Sequence, residues 1–521
     1  MTPRLRLVSR VLLGALVVWL VLCLTVFVEN TWRHSVDSAI YLLTAQSLAL
    51  GEGYQYLGQP FFVRPPGLSW LISGLVDAPF HAGQVGDLNL LVQGAYALTM
   101  LSLLVILRRL HGALWGTAIT LLVALNPLCV DSFNEVLAEY PSMTLLFGGL
   151  ALLMPRADGT RAKWAPAVAG ALLLGASMWF RSVGLLVLPA IVFGEAVAPG
   201  SGKARARGLL LAGLTLALAL PWMLESGARA DAAPRPSTQL LMFDYGTAMF
   251  RENPSDPESA RIGWDDWVAR ATTNSADIAG TLARMSLGSA SGREGQPRHD
   301  VADDREHLDI APWLAGLFGL ALLITAALRR SLFDLWAVAY AGVVLLYFTF
   351  VDRLLLPLVP ALLSALFFSV ELALKRCGDS ARHAVPATLA GLLALSALLE
   401  LPDASTPSEK KLQNFRADRQ VARWIGDNLP PDAPLMYEKG SILSLLTGHD
   451  VFTYRNLPGP WPLGAAPVDF ALFGPRHLDV TVEQAVAKAS REAGFEPVLF
   501  PVKFWGQQMP VNVYPLAPSD D

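Results

Sequence analysis

The chain carries little charge for its length. Of its 521 residues only 16% are charged, while 53% are hydrophobic, and its mean hydropathy is positive. Soluble globular domains carry about 25% charged residues, so this composition predicts a polytopic membrane protein. The net charge of −4 provides no strongly basic surface of the kind that nucleic-acid-binding proteins use. Nucleic acid is therefore excluded as a partner.

Cysteine is also scarce, and a common phosphate-binding motif is missing. The three cysteines, Cys23, Cys129 and Cys377, lie in or beside apolar runs rather than in polar segments. We therefore expect no disulfide framework. The chain contains no Gly-x-x-x-x-Gly-Lys-Ser/Thr loop, so the sequence predicts no nucleotide site of that type.

Long apolar runs are what the sequence has in abundance. The first follows Arg4, Arg6 and Arg10 and lacks a small-x-small cleavage site, so we expect an uncleaved anchor rather than a signal peptide. Eleven runs are long enough to cross a hydrocarbon core of roughly 30 Å. They cover about residues 11–28, 88–107, 114–130, 137–154, 165–180, 182–198, 208–224, 311–328, 332–350, 354–374 and 384–402.

The connectors between these runs predict the topology. Counted from a cytoplasmic amino terminus, every inner connector is basic, which agrees with the positive-inside bias of membrane proteins. The basic residues are Arg108-Arg109; Arg156, Arg161 and Lys163; Lys203, Arg205 and Arg207; Arg329-Arg330; and Lys375, Arg376 and Arg382. An odd number of crossings places three polar pieces on the extracytoplasmic side: loops 29–87 and 225–310, and the carboxyl-terminal tail.

The sequence pattern of the carboxyl-terminal tail predicts a small α/β domain over residues 403–521, which follows a membrane domain over residues 1–402. Helical periodicity runs through 416–425 and again through 481–493. Short strand patterns lie at 434–437, 451–454 and 497–500. A segment of this length is able to bury a modest core of its own.

Asp37 is the first residue for which the sequence indicates chemistry. It follows the first run and opens an apolar-periodic segment to Leu50 that ends at Gly51 and Gly53, as expected for an amphipathic helix in the outer interface. An acid in the first turn of a helix is stabilised by the helix dipole, so an ordinary helix-start acid is one interpretation. A carboxylate at the mouth of an apolar body is the other, because it is placed to act on membrane-borne substrates.

Two further features lie in the same region of the predicted topology. Arg64 precedes Pro65-Pro66, which indicates either a rigid turn back to the membrane or a turn that presents an anion ligand. After the third run, Asp131, Glu135 and Glu139 would share one face if that connector is helical. Glu139 abuts the next apolar run, where an unpaired charge is costly, and is therefore the second candidate carboxylate.

Arg181 and Arg353 lie at the predicted outer ends of runs, where the positive-inside bias disfavours them. An arginine at this position is suited to bind a lipid phosphate, because its planar fork of donors matches phosphate oxygens. The alternatives are snorkelling of the side chain to the interface, or a local ion pair between Asp352 and Arg353.

Taken in order, these motifs resemble the GT-C superfamily of membrane glycosyltransferases. The resemblance is to the branch of protein O-mannosyltransferases and of bacterial enzymes that add aminoarabinose or galacturonic acid to lipid A. It is carried by Asp37 with Tyr41 and Ala45, by Pro65-Pro66, by the acid after the third run, by Arg-Ser-Val-Gly-Leu at 181–185, and by Arg-x-x-x-Pro-x-x-Pro at 353–360. It spans about residues 10–400 and extends to Ala422-Arg423-Trp424-Ile425 in the tail.

The resemblance implies a helical membrane fold and an inverting transfer of sugar from a polyprenyl-phosphate donor to lipid A, a glycan or a protein. Asp37 would be the general base, and Glu139 would either orient the acceptor or the sugar or hold a divalent ion. Arg181, Arg353 and Arg64 would bind the donor phosphate. The family often carries a further acid near the first-loop aspartate, but here Ser38 follows Asp37. A divalent ion such as Mg²⁺ or Mn²⁺, held by His34, Asp37 and Glu139, stays an open alternative.

The competing function is a transporter or a flippase for lipid-linked sugars, with the same charges lining a pathway. Transport sites usually place charges near the middles of membrane spans. Charged residues are nearly absent there in this chain, which favours the transferase.

Overall fold

The computed structural model describes residues 3–78, 80–155, 162–197, 202–232, 249–252, 259–287, 311–347, 352–376, 379–405, 409–437, 439–453, 469–473, 480–492, 496, 498–504 and 507–515. Within these ranges the protein is mainly helical, as the composition predicts.

The apolar helices form one body with a continuous core. They are Pro3–Thr25, Val85–Ala124, Glu139–Leu153, Trp164–Ser177, Val187–Val197, Gly202–Ala232, Ala311–Arg329, Leu332–Leu346, Val359–Ala373 and Asp379–Ser405. Each predicted run coincides with one of them, and Val85–Ala124 accounts for two runs. It changes direction at Gly112, whose φ of 76° is a conformation that glycine adopts easily.

Only some of these helices are long enough by themselves to cross a membrane. Four segments meet that length and composition, at Leu5–Thr25, Val85–Ala124, Arg205–Ala230 and Ala384–Leu401. Five further apolar helices among the described residues have 10–17 residues. The protein is thus a multi-pass membrane protein, while the number of eleven crossings stays a prediction.

The loop between the first two runs is folded rather than open. It contains the helices Val36–Ala49 and Gly67–Ile72, a short ribbon that pairs Gln55–Tyr56 with Gln59–Pro60, and 3₁₀ turns at Ser73–Leu75 and Ala82–Gln84. The helix Val36–Ala49 ends before Gly51 as predicted, but it does not have the interfacial character that the sequence indicates. Eight of its residues are buried, on several faces, because other elements pack around it.

The second predicted loop, 225–310, also contains regular structure. The preceding helix extends to Ala232, and a further helix covers Trp264–Leu287. The connector after the third run is not one continuous helix. It contains the short helix Pro127–Ser132, and the next helix begins only at Glu139. Asp131, Glu135 and Glu139 therefore do not share a helical face.

The carboxyl-terminal part is a mixed sheet with helices. Its helices are Glu409–Asn428, Gly440–Thr447 and Val480–Glu492, and its strands are Leu435–Tyr437, Val451–Thr453, Phe470–Phe473, Val498–Phe504 and Gln507–Pro515. We label these strands β3 to β7, after β1 and β2 of the ribbon; the sheet order is β4-β3-β5-β7-β6. The first three pair in parallel, while β7 is antiparallel to both neighbours.

Three of these strands and all or part of two helices are predicted by the sequence, whereas β5 and β7 are not. β7 contains Pro510 and Pro515, which lack the amide hydrogen that a strand ladder needs and therefore weaken the strand pattern. Tyr454 and Pro497, which the predicted strands include, lie outside the described residues.

Two helices of the apolar body cross at close range. A Cβ atom added at Gly149 would lie 2.8 Å from the carbonyl oxygen of Gly170, and one at Gly170 would lie 2.9 Å from that of Gly149. The backbones of Glu139–Leu153 and Trp164–Ser177 can approach this closely only because both residues lack side chains. Glu139 begins one of these two helices, and Arg181 lies just after the other.

We predict that Gly149→Ala destabilises the protein by about 1–3 kcal/mol, because the new methyl group would overlap Leu174 and the facing backbone. Thermal unfolding of the purified protein in detergent measures this. The matched control is Gly94→Ala, also within an apolar helix, where a Cβ has nothing within 4 Å. An equal loss in both variants would contradict the close crossing.

Candidate functional site

Five charged residues from five separate segments converge at one end of the helical body. They are the predicted site residues Asp37, Arg64, Glu139, Arg181 and Arg353. We call this set the ion cluster. It brings together residues that are more than 300 positions apart in the chain, and it contains two carboxylates and three guanidinium groups.

Asp37 lies in the first turn of the helix Val36–Ala49. That helix begins with a capping box, in which the Ser35 side chain accepts from the amide of Ser38 and the Ser38 side chain accepts from the amide of Ser35. The Asp37 carboxylate is held at both oxygens: Arg64 Nη2 donates to Oδ1, and Arg353 Nη2 donates to Oδ2. The helix dipole and both arginines stabilise its charged form.

Glu139 is the more deeply buried of the two acids, with a side chain 5% exposed. Its Oε1 accepts from Arg181 Nη1 and lies 3.6 Å from Arg353 Nε. Arg353 therefore contacts both carboxylates. The cation of Arg353 allows the two acids to occupy the same site despite their like charges.

Arg353 lies in the 3₁₀ turn Asp352–Leu355. Its neighbour Asp352 accepts from Thr281 Oγ1 at 2.6 Å, so this acid is engaged by another helix while Arg353 extends to Asp37 and Glu139. The structure therefore does not support the alternative of a local pair between Asp352 and Arg353. Burial lowers the pKa of Arg353 to about 10, which still leaves it charged at neutral pH.

Arg64 is held by the turn that its prolines predict. The Tyr54 hydroxyl donates to the carbonyl oxygens of Arg64 at 3.0 Å and Pro65 at 3.3 Å. The amide of Gly67 donates to the Trp179 carbonyl oxygen at 2.6 Å, and a Cβ at Gly67 would overlap that oxygen. The turn is thus tied directly to the segment that ends at Arg181.

The ion cluster borders a cleft with mainly apolar walls. Glu139 and Arg181 supply charged groups, and the wall includes Met143, Leu146, Val183, Trp336, Tyr340 and Pro357. Three guanidinium groups against two carboxylates leave a formal charge of +1. This arrangement is suited to an anionic group carried on an apolar molecule, because the charges would bind the anion and the walls the apolar part.

His34 is not a member of the ion cluster. Its Nε2 lies 3.3 Å from Asp418 Oδ2 in the carboxyl-terminal part. No group of three or more His, Cys, Asp or Glu residues among the described ranges is arranged to hold a metal ion. The oxygens of Asp37 and the near oxygen of Glu139 face arginines, so this donor set does not fit a resident divalent cation.

A second group of charges beside the site was not predicted. Buried Arg33 donates to Glu29 and, at 2.9 Å, to both the backbone and the side chain of Asp131. It ties the segment before Asp37 to the short helix Pro127–Ser132. Neither the contact of Arg33 with Asp131 nor that of Asp418 with His34 stands out in the sequence, because the partners are about 100 and nearly 400 positions apart.

Comparison with known proteins identifies the fold. No protein-family model and no curated protein matches the sequence. Among solved structures, ArnT from Cupriavidus metallidurans bound to undecaprenyl phosphate is 14% identical, with 97% of this chain and 98% of that chain covered and a TM-score of 0.55. The apo oligosaccharyltransferase from Archaeoglobus fulgidus is 15% identical, with 89% and 69% covered and a TM-score of 0.53.

A further match is the Archaeoglobus fulgidus oligosaccharyltransferase AglB in complex with an inhibitory peptide and a dolichol-phosphate. It is 14% identical, with 88% of this chain and 69% of that chain covered and a TM-score of 0.51. At such identities the likeness concerns the fold. The GT-C-like membrane fold that the sequence predicts is confirmed.

We predict that Glu139→Gln destabilises the protein by about 1.5–3 kcal/mol, the usual contribution of a hydrogen bond to a charged group. The substitution leaves Arg181 and Arg353 facing each other without the counter-charge of Glu139. The control is Glu225→Gln, which removes a 2.8 Å pair with Arg229 at a site where the acid is 56% exposed. Such a surface pair contributes about 0–1 kcal/mol. Similar thermal midpoints for the two variants would contradict a structural role of Glu139.

Proposed function

We propose that the protein is an integral-membrane glycosyltransferase that moves a sugar, with inversion, from a polyprenyl-phosphate donor to an acceptor hydroxyl. The observation that carries the proposal is the ion cluster, in which Asp37 shares Arg353 with Glu139 beside an apolar cleft. The fold supports it, because similar structures were solved with undecaprenyl phosphate and with dolichol-phosphate.

Asp37 acts as the general base. The acceptor hydroxyl transfers its proton to the carboxylate while its oxygen attacks the anomeric carbon of the sugar. The bond from that carbon to the phosphate oxygen breaks, and the polyprenyl phosphate leaves with the bonding electrons. Such proton transfer requires an ionised carboxylate within hydrogen-bond reach of the acceptor, and Asp37 faces two guanidinium groups.

The arginines stabilise the leaving phosphate. Negative charge grows on the phosphate as the bond breaks, and preformed donors at that position lower the barrier. Arg181 lines the cleft beside Glu139, which Arg353 approaches to 3.6 Å, and Arg64 holds the other oxygen of Asp37. A bound phosphate competes with Asp37 for Arg353, so donor binding makes one carboxylate oxygen available to the acceptor.

Glu139 keeps Arg181 and Arg353 in position. Its burial and its contact with both arginines favour this role over a direct contact with the acceptor or with a metal ion. We assign the apolar wall around Trp336, Tyr340 and Pro357 to contact with the lipid part of the donor. No step of this mechanism is routed through a metal ion.

We place the reaction on the extracytoplasmic face of the cell membrane, because every connector on the opposite side is basic. The carboxyl-terminal part then lies on the same face as the ion cluster, as a domain of its own. The acceptor is a hydroxyl of lipid A, of another glycan or of a protein.

We predict that Asp37→Asn lowers kcat for sugar transfer by about 10²–10⁴-fold, the usual contribution of a general base. The amide has nearly the same size but cannot accept the proton. Reconstituted protein, a polyprenyl-phosphate sugar and candidate acceptors provide the assay. The control is Asp77→Asn, an exposed acid in the same loop. Normal transfer by Asp37→Asn would exclude Asp37 as the base, and no donor turnover by wild type would favour a transporter.

We predict that Arg353→Gln weakens binding of polyprenyl phosphate by about 10–100-fold, equivalent to the loss of a charge-assisted hydrogen bond. Arg353→Lys should recover only part of the affinity, because lysine keeps the charge but not the planar fork. Titration of each variant with the lipid measures this, with exposed Arg423→Gln as the control. Unchanged affinity in Arg353→Gln would separate Arg353 from the donor phosphate.

A further inference from the structure

The segment that leads into Asp37 is bound by the carboxyl-terminal part of the chain. His34, three residues before Asp37, lies 3.3 Å from Asp418 through Nε2 and Oδ2, and the two side chains are only 3% and 0% exposed. Asp418 belongs to the helix Glu409–Asn428. The proposed mechanism assigns no role to this buried pair.

Asp418 is itself fixed by the sheet of the carboxyl-terminal part. The hydroxyl of Tyr437, in strand β3, donates to Asp418 Oδ1 at 3.1 Å. Its helix packs on the same sheet through Ala417, Val421 and Ile425, which share a core with Leu435. His34 is therefore held by a side chain that the folded sheet keeps in place.

Neighbouring contacts hold the same short segment. Phe415 packs against the rings of Trp32 at 5.9 Å and His34 at 5.2 Å. Ser441 donates to the carbonyl oxygen of Val36 at 3.4 Å. Trp32 Nε1 donates to Ser38 Oγ at 3.1 Å, and Ser38 belongs to the capping box that starts the helix of Asp37.

The polar chemistry of the His34–Asp418 pair indicates that it positions the segment before Asp37 rather than merely joining two parts of the protein. Two apolar side chains would join the two parts of the protein as firmly, because burying charged or polar groups costs free energy that their contact only partly offsets. The contact between His34 and Asp418 is an ion contact rather than an aligned hydrogen bond, so it depends on the separation of 3.3 Å between Nε2 and Oδ2. Keeping this separation holds the segment at the start of the helix on which Asp37 lies.

We infer that Asp418, acting through His34, positions the Asp37 carboxylate for proton transfer. The carboxyl-terminal part of the chain therefore contributes to the geometry of the transferase site. The inference rests on the proposed role of Asp37 as the base. His34 and Asp418 are positioning residues, because they act on Asp37 through the start of its helix and not on the reacting atoms.

Loss of this contact should affect the chemical step and leave donor binding intact. The arginines are attached to other segments, so the affinity for the donor phosphate stays. The carboxylate, in contrast, shifts relative to the acceptor, and displacement of a reacting group by about 1 Å is able to cost on the order of 10²-fold in rate.

The experiment compares Asp418→Asn, His34→Gln and the double variant in the full-length protein. The amide that Asp418→Asn introduces would still accept from Tyr437 but would lack the negative charge that faces His34. We expect kcat to fall by roughly 10-fold or more in each, with the donor KM within about twofold of wild type. The double variant should lose no more kcat than either single variant, because each substitution removes the same contact between His34 and Asp418.

Glu483→Gln is the matched control. Glu483 lies in the same part of the chain and accepts from Asn512 at 2.5 Å and Tyr514 at 3.0 Å, both in β7. It should leave kcat and KM unchanged. Tyr437→Phe is a milder variant that removes the hydroxyl that donates to Asp418, and we expect a smaller loss of kcat. Wild-type kcat in Asp418→Asn, or an equal loss in Glu483→Gln, would overturn the inference.

Hydrogen exchange provides a readout that needs no activity. Asp418→Asn should accelerate exchange of the amides in the helix Val36–Ala49, whereas Glu483→Gln should not. Unchanged exchange in that helix would overturn the positioning. A wild-type protein that transfers no sugar would overturn the proposed function instead, while the exchange result still decides whether the carboxyl-terminal part holds this helix.

Discussion

The contact on which the site depends is the bridge that Arg353 makes between Asp37 and Glu139. Two carboxylates of like charge repel each other, and in a poorly solvated site the repulsion is weakly screened. A cation between them attracts both carboxylates, and this attraction offsets their mutual repulsion. Arg64 then pairs with the second oxygen of Asp37, and Arg181 pairs with the same oxygen of Glu139 that Arg353 approaches. The excess positive charge makes the cluster a place where an anion is stabilised.

The surrounding fold fixes the distances between these charges through contacts of backbone atoms. Gly149 and Gly170 allow a close crossing of the helix that begins at Glu139 and the helix that precedes Arg181, and Gly67 allows the turn of Arg64 to lie on the carbonyl of Trp179. In each contact the glycine has no side chain, and the two main chains approach each other closely. Such approaches vary little in distance, which suits a site whose electrostatics depend on the separation of charges.

Much of the architecture could be predicted from the sequence, because apolar runs and basic connectors are local patterns. Each predicted run coincides with a helix, and the predicted GT-C-like membrane fold is confirmed. Other features escaped prediction for a physical reason. The helix of Asp37 has the periodicity of an interfacial helix, but the helices Gly67–Ile72 and Gly440–Thr447 pack on it. Burial by partners distant in the chain leaves no mark on local periodicity.

The sequence by itself determined a multi-pass helical protein with acids and arginines at one end of its runs. It also indicated Asp37, Glu139, Arg64, Arg181 and Arg353 individually, since each breaks a local expectation of charge or turn chemistry. Only the tertiary structure decided which of these charges pair, and it assigned His34 to Asp418. Pairing depends on distances between segments far apart in the chain, and those distances are set by helix crossings and domain contacts that the order of residues does not express.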